Sequence, residues 1–338
     1  MDCPHLRFLE CLPGDQNLAR SMPMHELVEA GGGNRRDRHL DPAWLPQLVA
    51  WSPRLRHLFD VTVSQAMLSH IFAQCPSLTS LRSINLHLTA TTDSPAFLLR
   101  LPGQLEALDG QVIVEGPEGP AELRVEAPGL RALRLEVPPQ MQLTLACPAL
   151  VALVGNGASS FVEGTDPPLR SLCLECPREY AGHFPIPTRA PPRSKADSLL
   201  AVLTRHGSHL QCVSLPSKWL PPEAWPEVAA ALGQLPRLVS LTVYGIPSAD
   251  VVLACPRLSH LTIHRPDFGD RFELRSLVLD CPQLEELSAP FDWDLERFEL
   301  AGQGEGEDAS RGPPNYIGGV FNPWHDRLQA RFPNVFLG

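Results

Sequence analysis

A chain of 338 residues with 43% hydrophobic content can build a sizeable core, and its 36 prolines and 24 glycines call for frequent chain reversals rather than long helices. A net charge of -10 argues against a sequence-independent grip on nucleic-acid phosphates, which needs a lysine and arginine excess. No run approaches the roughly 18 apolar residues of a membrane span, and "MDCPHLRFLE" lacks the basic and apolar regions of a secretory signal, so the expected location is cytoplasmic or nuclear.

The first phrase of the chain is "CPHLRFL" from Cys3, and it returns as Cys-Pro-x-Leu-x-x-Leu at Cys75, Cys147, Cys255 and Cys281. With the cysteine replaced by another residue, the frame also starts at Ser52, Pro102, Ala127, Asp166, Gly207 and Leu235, making eleven copies. Residues 1–12 are thus a partial N-terminal repeat. Residues 13–40, including "EAGGGNRRDRH", combine glycine with charge and read as a flexible insertion. A short helix is expected around "DPAWLPQLVAW" from Asp41.

From 41 to 300 the repeats follow one another. Most successive starts are 19 to 28 residues apart, the spacing of leucine-rich repeats, and the two longer steps of 49 and 41 hold insertions or degenerate pairs. Several copies end in Leu-x-Leu alternation, as in "LRALRL" from Leu130, which puts Leu133 and Leu135 on one side of a short strand and Ala132 and Arg134 on the other. The connectors "SQAMLSHIFAQ" from Ser64, "SKADSLLAVLTRHG" from Ser194 and "PPEAWPEVAAALGQ" from Pro221 have helical spacing behind a capping or proline-first start. Shorter connectors such as "EVPPQMQLTLA" from Glu136 leave room for turns or a second short strand. A proline-rich insertion is expected at 177–193, an acidic flexible linker at 301–315 and a capping segment at 316–338.

The recurring cysteine is expected to point inward as a compact apolar thiol, and the proline after it to fix the corner and stop the preceding element. Five of the nine cysteines hold this position, and so reduced packing thiols are expected rather than a bridge framework.

The phrases "CPxLxxL", "APGLRAL" and "LRSLVLDCPQLEEL" resemble the leucine-rich repeats of F-box proteins, of the cysteine-containing and plant-like kinds. The resemblance spans residue 1 to about 290. It implies an α/β leucine-rich repeat solenoid, a horseshoe with short parallel concave strands and mixed helix and turn connectors on its convex side. It further implies a substrate receptor of a cullin-type ubiquitin ligase, in which an F-box binds the Skp adaptor and the repeats hold a protein target. No F-box is read in residues 13–50, so this role requires one upstream.

Catalytic chemistry finds little footing. There is no G-x-S-x-G, no phosphate loop with its lysine and no H-E-x-x-H, and "CLEC" from Cys173 lacks the second ligand pair that a zinc site needs. Neither an enzyme nor a cofactor is expected. The expected function is a protein-binding scaffold, with a non-ligase repeat scaffold or a fragment of a larger enzyme as alternatives. Its contact residues would be the outward strand positions His57, Phe59, Arg82, Arg134, Tyr244, His260, His264 and Glu286.

Overall fold

A computed structural model describes residues 8–11, 29–32, 45–89, 96–115, 121–138, 141–155, 159–161, 165–174, 193–216, 220–244, 250–264, 276–288 and 297–300. The frame residues make a tight turn. In "CPSL" the Leu78 amide donates to the Cys75 carbonyl at 3.1 Å, and the same bond joins Leu55 to Ser52, Leu105 to Pro102, Leu150 to Cys147, Leu258 to Cys255 and Leu284 to Cys281. Proline as the second residue presets the backbone angle that such a turn requires. The recurring phrase is therefore a turn followed by a strand, with the leucine that closes the turn buried in all six.

The chain divides into two compact units, Met1–Leu169 and Arg170–Gly338. In the first, β1 (Phe8–Cys11), β2 (Glu29–Gly32), β3 (His57–Phe59), β4 (Thr62–Ser64), β5 (Ser80–Thr89), β7 (Ala107–Glu115), β9 (Ala132–Glu136) and β11 (Ala152–Gly155) belong to one parallel sheet, in the order β1-β2-β3-β5-β7-β9-β11 with β4 also beside β5. A second parallel sheet has the order β12-β10-β8-β6, from β6 (Ala96–Arg100), β8 (Ala121–Glu126), β10 (Met141–Ala146) and β12 (Ser159–Phe161). From β5 to β12 the chain visits the two sheets alternately. The short connectors thus carry a second strand, and the apolar rows Phe97, Leu123, Leu143 and Leu99, Val125, Leu145 are buried.

The second unit repeats the plan. One parallel sheet runs β13-β14-β15-β17-β19, from β13 (Ser171–Leu174), β14 (Cys212–Pro216), β15 (Ser240–Tyr244), β17 (His260–His264) and β19 (Glu286–Ser288). The other runs β16-β18-β20, from β16 (Asp250–Leu253), β18 (Ser276–Leu279) and β20 (Arg297–Leu300). The architecture is α/β, dominated by parallel strands with few helices.

Register follows the frame. Leu172, Val213, Leu241, Leu261 and Leu287 are in-register partners across five strands, and all are buried. The residue after the frame leucine extends the ladder: Ser259 donates its amide to the Val239 carbonyl, and Glu285 to the Ser259 carbonyl, both at 2.9 Å. Burying one such leucine contributes about 1.5 to 3 kcal/mol.

Four helices complete the described fold: α1 (Leu45–Trp51), α2 (Gln65–Gln74), α3 (Arg193–His206) and α4 (Trp225–Gly233). Each forms where helical spacing predicts it. The helix α2 starts behind Ser64, whose hydroxyl accepts from the Met67 amide at 3.2 Å, and it buries Leu68 and Ile71. Ser64→Ala removes this cap and is expected to destabilise the chain by about 1 kcal/mol in urea unfolding.

Part of the stretch expected as an insertion at 13–40 is built into the sheet. Glu29–Gly32 pairs in parallel with Phe8–Cys11 on one side and His57–Phe59 on the other, with Ala30 fully buried. Small residues here carry a strand because the ladder needs only backbone groups, and composition does not report those. The proline-rich insertion, the acidic linker and the capping segment lie outside the described residues, apart from Arg193, which begins α3.

Candidate protein-binding face

The buried leucine rows fix where their neighbours point. In a strand the alternate residues face the opposite way, so each frame places its outward side chains in rows across the sheet, about 4.8 Å apart.

In the second unit one row is Ser171, Cys212, Ser240, His260 and Glu286, and the next is Cys173, Ser214, Thr242, Thr262 and Ser288. A third holds Tyr244 and His264. These two rings stack, with centroids 4.4 Å apart and an interplanar angle of 19°. Tyr244 is 45% exposed, a large side chain left outside the core. His260 lies between two partners: its Nδ1 is 2.6 Å from the Ser259 hydroxyl, and its Nε2 is 3.7 Å from a Glu286 carboxylate oxygen. The Ser259 hydroxyl also donates to the Val239 carbonyl at 3.3 Å. Serine, histidine and carboxylate here form an open surface chain on one strand pair, and their contribution to stability is small.

In the first unit His57, Phe59 and Arg134 are half-buried and Arg82 is exposed. Phe59 stands beside Arg82 in register, and Asp109 beside Arg134 with 3.8 Å between Oδ1 and Nε. Arg82 does not sit in a regular strand. Leu81 pairs with Leu108 and Ile84 with Gly110, so Arg82 and Ser83 together oppose Asp109 as a bulge. Ser83 has φ 51, as does Asp60 in the facing chain, whose amide donates to the Arg82 carbonyl at 3.0 Å. Beyond the bulge a polar row follows: Thr62, Asn85, Gln111 and Glu136 are successive partners, and the Gln111 amide donates to Asn85 Oδ1 at 2.8 Å.

All eight residues expected to face outward occupy non-core strand positions, and the structure groups them within their units. It joins Tyr244 with His264, His260 with Glu286, and Phe59 with Arg82. Sequence reasoning passed over the hydroxyl row through Thr242 and Thr262 and the amide row through Gln111. The hydroxyl row could have been found by counting seven residues from each repeat start, whereas the amide row shifts from ten residues to nine across the bulge.

The four turn cysteines among the described residues, Cys75, Cys147, Cys255 and Cys281, are buried, as expected from the frame, and Cys3 lies outside the described residues. Cys75 Sγ donates to the Ser52 carbonyl at 3.4 Å and Cys147 Sγ to the Val125 carbonyl at 3.8 Å. Burial pushes the Cys75 thiol up to about 11 and the Cys147 thiol up to about 12, so both stay protonated at neutral pH and are poor nucleophiles. Cys173 is half-buried in β13, and its "CLEC" partner Cys176 lies outside the described residues. Among the described residues no three His, Cys, Asp or Glu side chains come together as a metal site, and no helix is long and apolar enough to cross a membrane. No family model matches the chain, and no curated protein matches it.

Proposed function

We propose that the chain is a leucine-rich repeat solenoid that binds another protein through the outward rows of its main parallel sheet. The observation that carries this reading is the in-register arrangement of those rows: Tyr244 and His264 stack, and the hydroxyl row beside them runs unbroken across four strands, continued by the Cys173 thiol on a fifth. A surface built on a ladder is rigid before binding, which lowers the ordering cost of association. An exposed aromatic at its end is the kind of side chain that dominates interface energies. In this reading the curved array presents the rows on a concave face, in the cytoplasm or nucleus.

The finer form of the proposal is the repeat region of an F-box-type receptor, acting with a Skp adaptor and a cullin. It rests on the resemblance of the Cys-Pro-x-Leu-x-x-Leu phrases. A repeat scaffold with no ligase role is the second reading, favoured by the lack of an F-box pattern in residues 13–50.

The test is capture of partners by the full-length product. Tyr244→Ala combined with His264→Ala is expected to weaken the interaction at least tenfold, corresponding to about 1.4 kcal/mol or more. Val252→Ala, at an exposed position of the other sheet, is expected to leave it intact. Equal capture by all three proteins would refute the assignment of the face. Recovery of Skp and cullin subunits supports the ligase, and their repeated absence leaves the plain scaffold.

A further inference from the structure

Among the described residues only one pair of consecutive repeats begins with cysteine in both copies. Cys255 and Cys281 each stand five residues before in-register partners, His260 and Glu286, so they occupy equivalent corners of adjoining turns. The backbone around them is tied: the Asp280 amide donates to the Leu253 carbonyl at 2.7 Å, and Cys281 Sγ reaches the same oxygen at 3.6 Å. Adjoining parallel strands lie about 4.8 Å apart, within the separation of about 4.4 to 6.8 Å that a disulfide spans between α-carbons.

We propose that Cys255 and Cys281 are a dithiol modification site, oxidised to a disulfide by hydrogen peroxide and returned to the dithiol by a thiol reductant. This inference does not depend on the scaffold reading.

The acidities of the two thiols move in opposite directions, and the leading cause is hydrogen bonding in which the Cys255 side chain, and secondly its backbone, donates to the Cys281 sulfur. Those bonds hold the Cys281 thiol below its ordinary range, whereas the same contact, together with burial, raises Cys255. Cys281 is therefore the first to ionise and the attacking group. It is also the more accessible, 5% exposed against 1%, and it lies between the exposed residues Asp280 and Pro282. Its thiolate attacks one peroxide oxygen, the O–O bond breaks, and the departing hydroxide leaves as water after taking a proton, giving a sulfenic acid on Cys281. The Cys255 sulfur then attacks that sulfur. The S–S bond forms, the S–OH bond breaks, and the hydroxyl leaves as water with the Cys255 proton. Two thiols and one peroxide give one disulfide and two waters, the thiols losing two electrons.

Cys75 and Cys147 are internal controls, because the equivalent corners of the preceding turns hold Ser52 and Ala127 instead of a second cysteine. The experiment treats the folded full chain with hydrogen peroxide, blocks remaining thiols and maps tryptic peptides by mass spectrometry. Peptides 238–257 and 276–297, which carry one cysteine each, are expected to appear cross-linked with the loss of two hydrogens and to separate on reduction. Their occupancy is expected to exceed oxidation of Cys75 or Cys147 at least tenfold. Cys255→Ser is expected to leave a Cys281 sulfenic acid that dimedone traps, and Cys281→Ser to leave none on Cys255. The proposal fails if the two peptides stay unlinked while exposed Cys212 oxidises, or if the link forms only in urea.

Discussion

Leu261→Asp is expected to unfold the unit Arg170–Gly338, and Thr262→Asp, one residue further along the same strand, to leave it folded. Leu261 is 1% exposed and stands in register between Leu241 and Leu287, neither of them accessible to solvent. Aspartate there loses the leucine's burial, worth about 2 to 5 kcal/mol on truncation, and buries a carboxylate with no partner. The sum is comparable to the whole stability of an ordinary domain, about 5 to 15 kcal/mol. Thr262 faces the other way, half-exposed, between Thr242 and Ser288. A carboxylate there keeps its water, and the expected change is within about 1 kcal/mol. Circular dichroism and urea unfolding check both variants. Equal loss of structure would mean that the strand does not separate a buried from an accessible face.

That contrast was legible in the sequence because two signals coincide. A turn phrase marks where each strand begins, and alternation of apolar residues marks which side is buried, so "LSHLTI" from Leu258 fixes both position and facing. The helix behind Ser64 was legible for a similar reason, since one residue there supplies a specific hydrogen bond. Other features have no such mark. Nothing in "SLRSI" from Ser80 announces that Arg82 and Ser83 together oppose Asp109, because a bulge is a property of two strands at once. The strand Glu29–Gly32 reads as glycine and charge, yet it joins the ladder through groups that every residue carries.

The candidate site follows the same division. Outward positions could be named from alternation alone, but which of them meet depends on register. Tyr244 and His264 stack because each lies nine residues after the start of its repeat, at Leu235 and Cys255. His260 reaches Glu286 by the same rule, five residues after Cys255 and Cys281. Equal offsets from the turn are thus a usable signal for cross-strand contact in this chain. The rule breaks at the bulge beside Arg82, where one strand carries an extra residue.

Gly129→Ala is expected to destabilise the chain, whereas Gly103→Ala, in the neighbouring turn, is expected to be neutral or stabilising. Neither glycine has a left-handed backbone, so the difference is one of space. A methyl group on Gly129 would overlap the backbone carbonyl oxygen of Gly103, which cannot rotate aside as a side chain could. The turns would have to separate, straining the ladder in which the Arg131 amide donates to the Glu106 carbonyl at 2.8 Å. Such overpacking typically costs about 1 to 3 kcal/mol. A methyl group on Gly103 meets nothing nearer than Pro128 Cγ at 3.9 Å, ordinary contact, and the loss of unfolded-state freedom favours folding by about 0.4 to 1 kcal/mol. Register puts Gln104 and Ala149 at the frame position of Gly129, so the frame itself accepts a side chain there and the restriction is local to one pair of turns. Urea midpoints moving in opposite directions, Gly129→Ala down and Gly103→Ala level or up, are the expected result. A loss for Gly103→Ala as large as that for Gly129→Ala would show that the close approach of these two turns does not limit the packing.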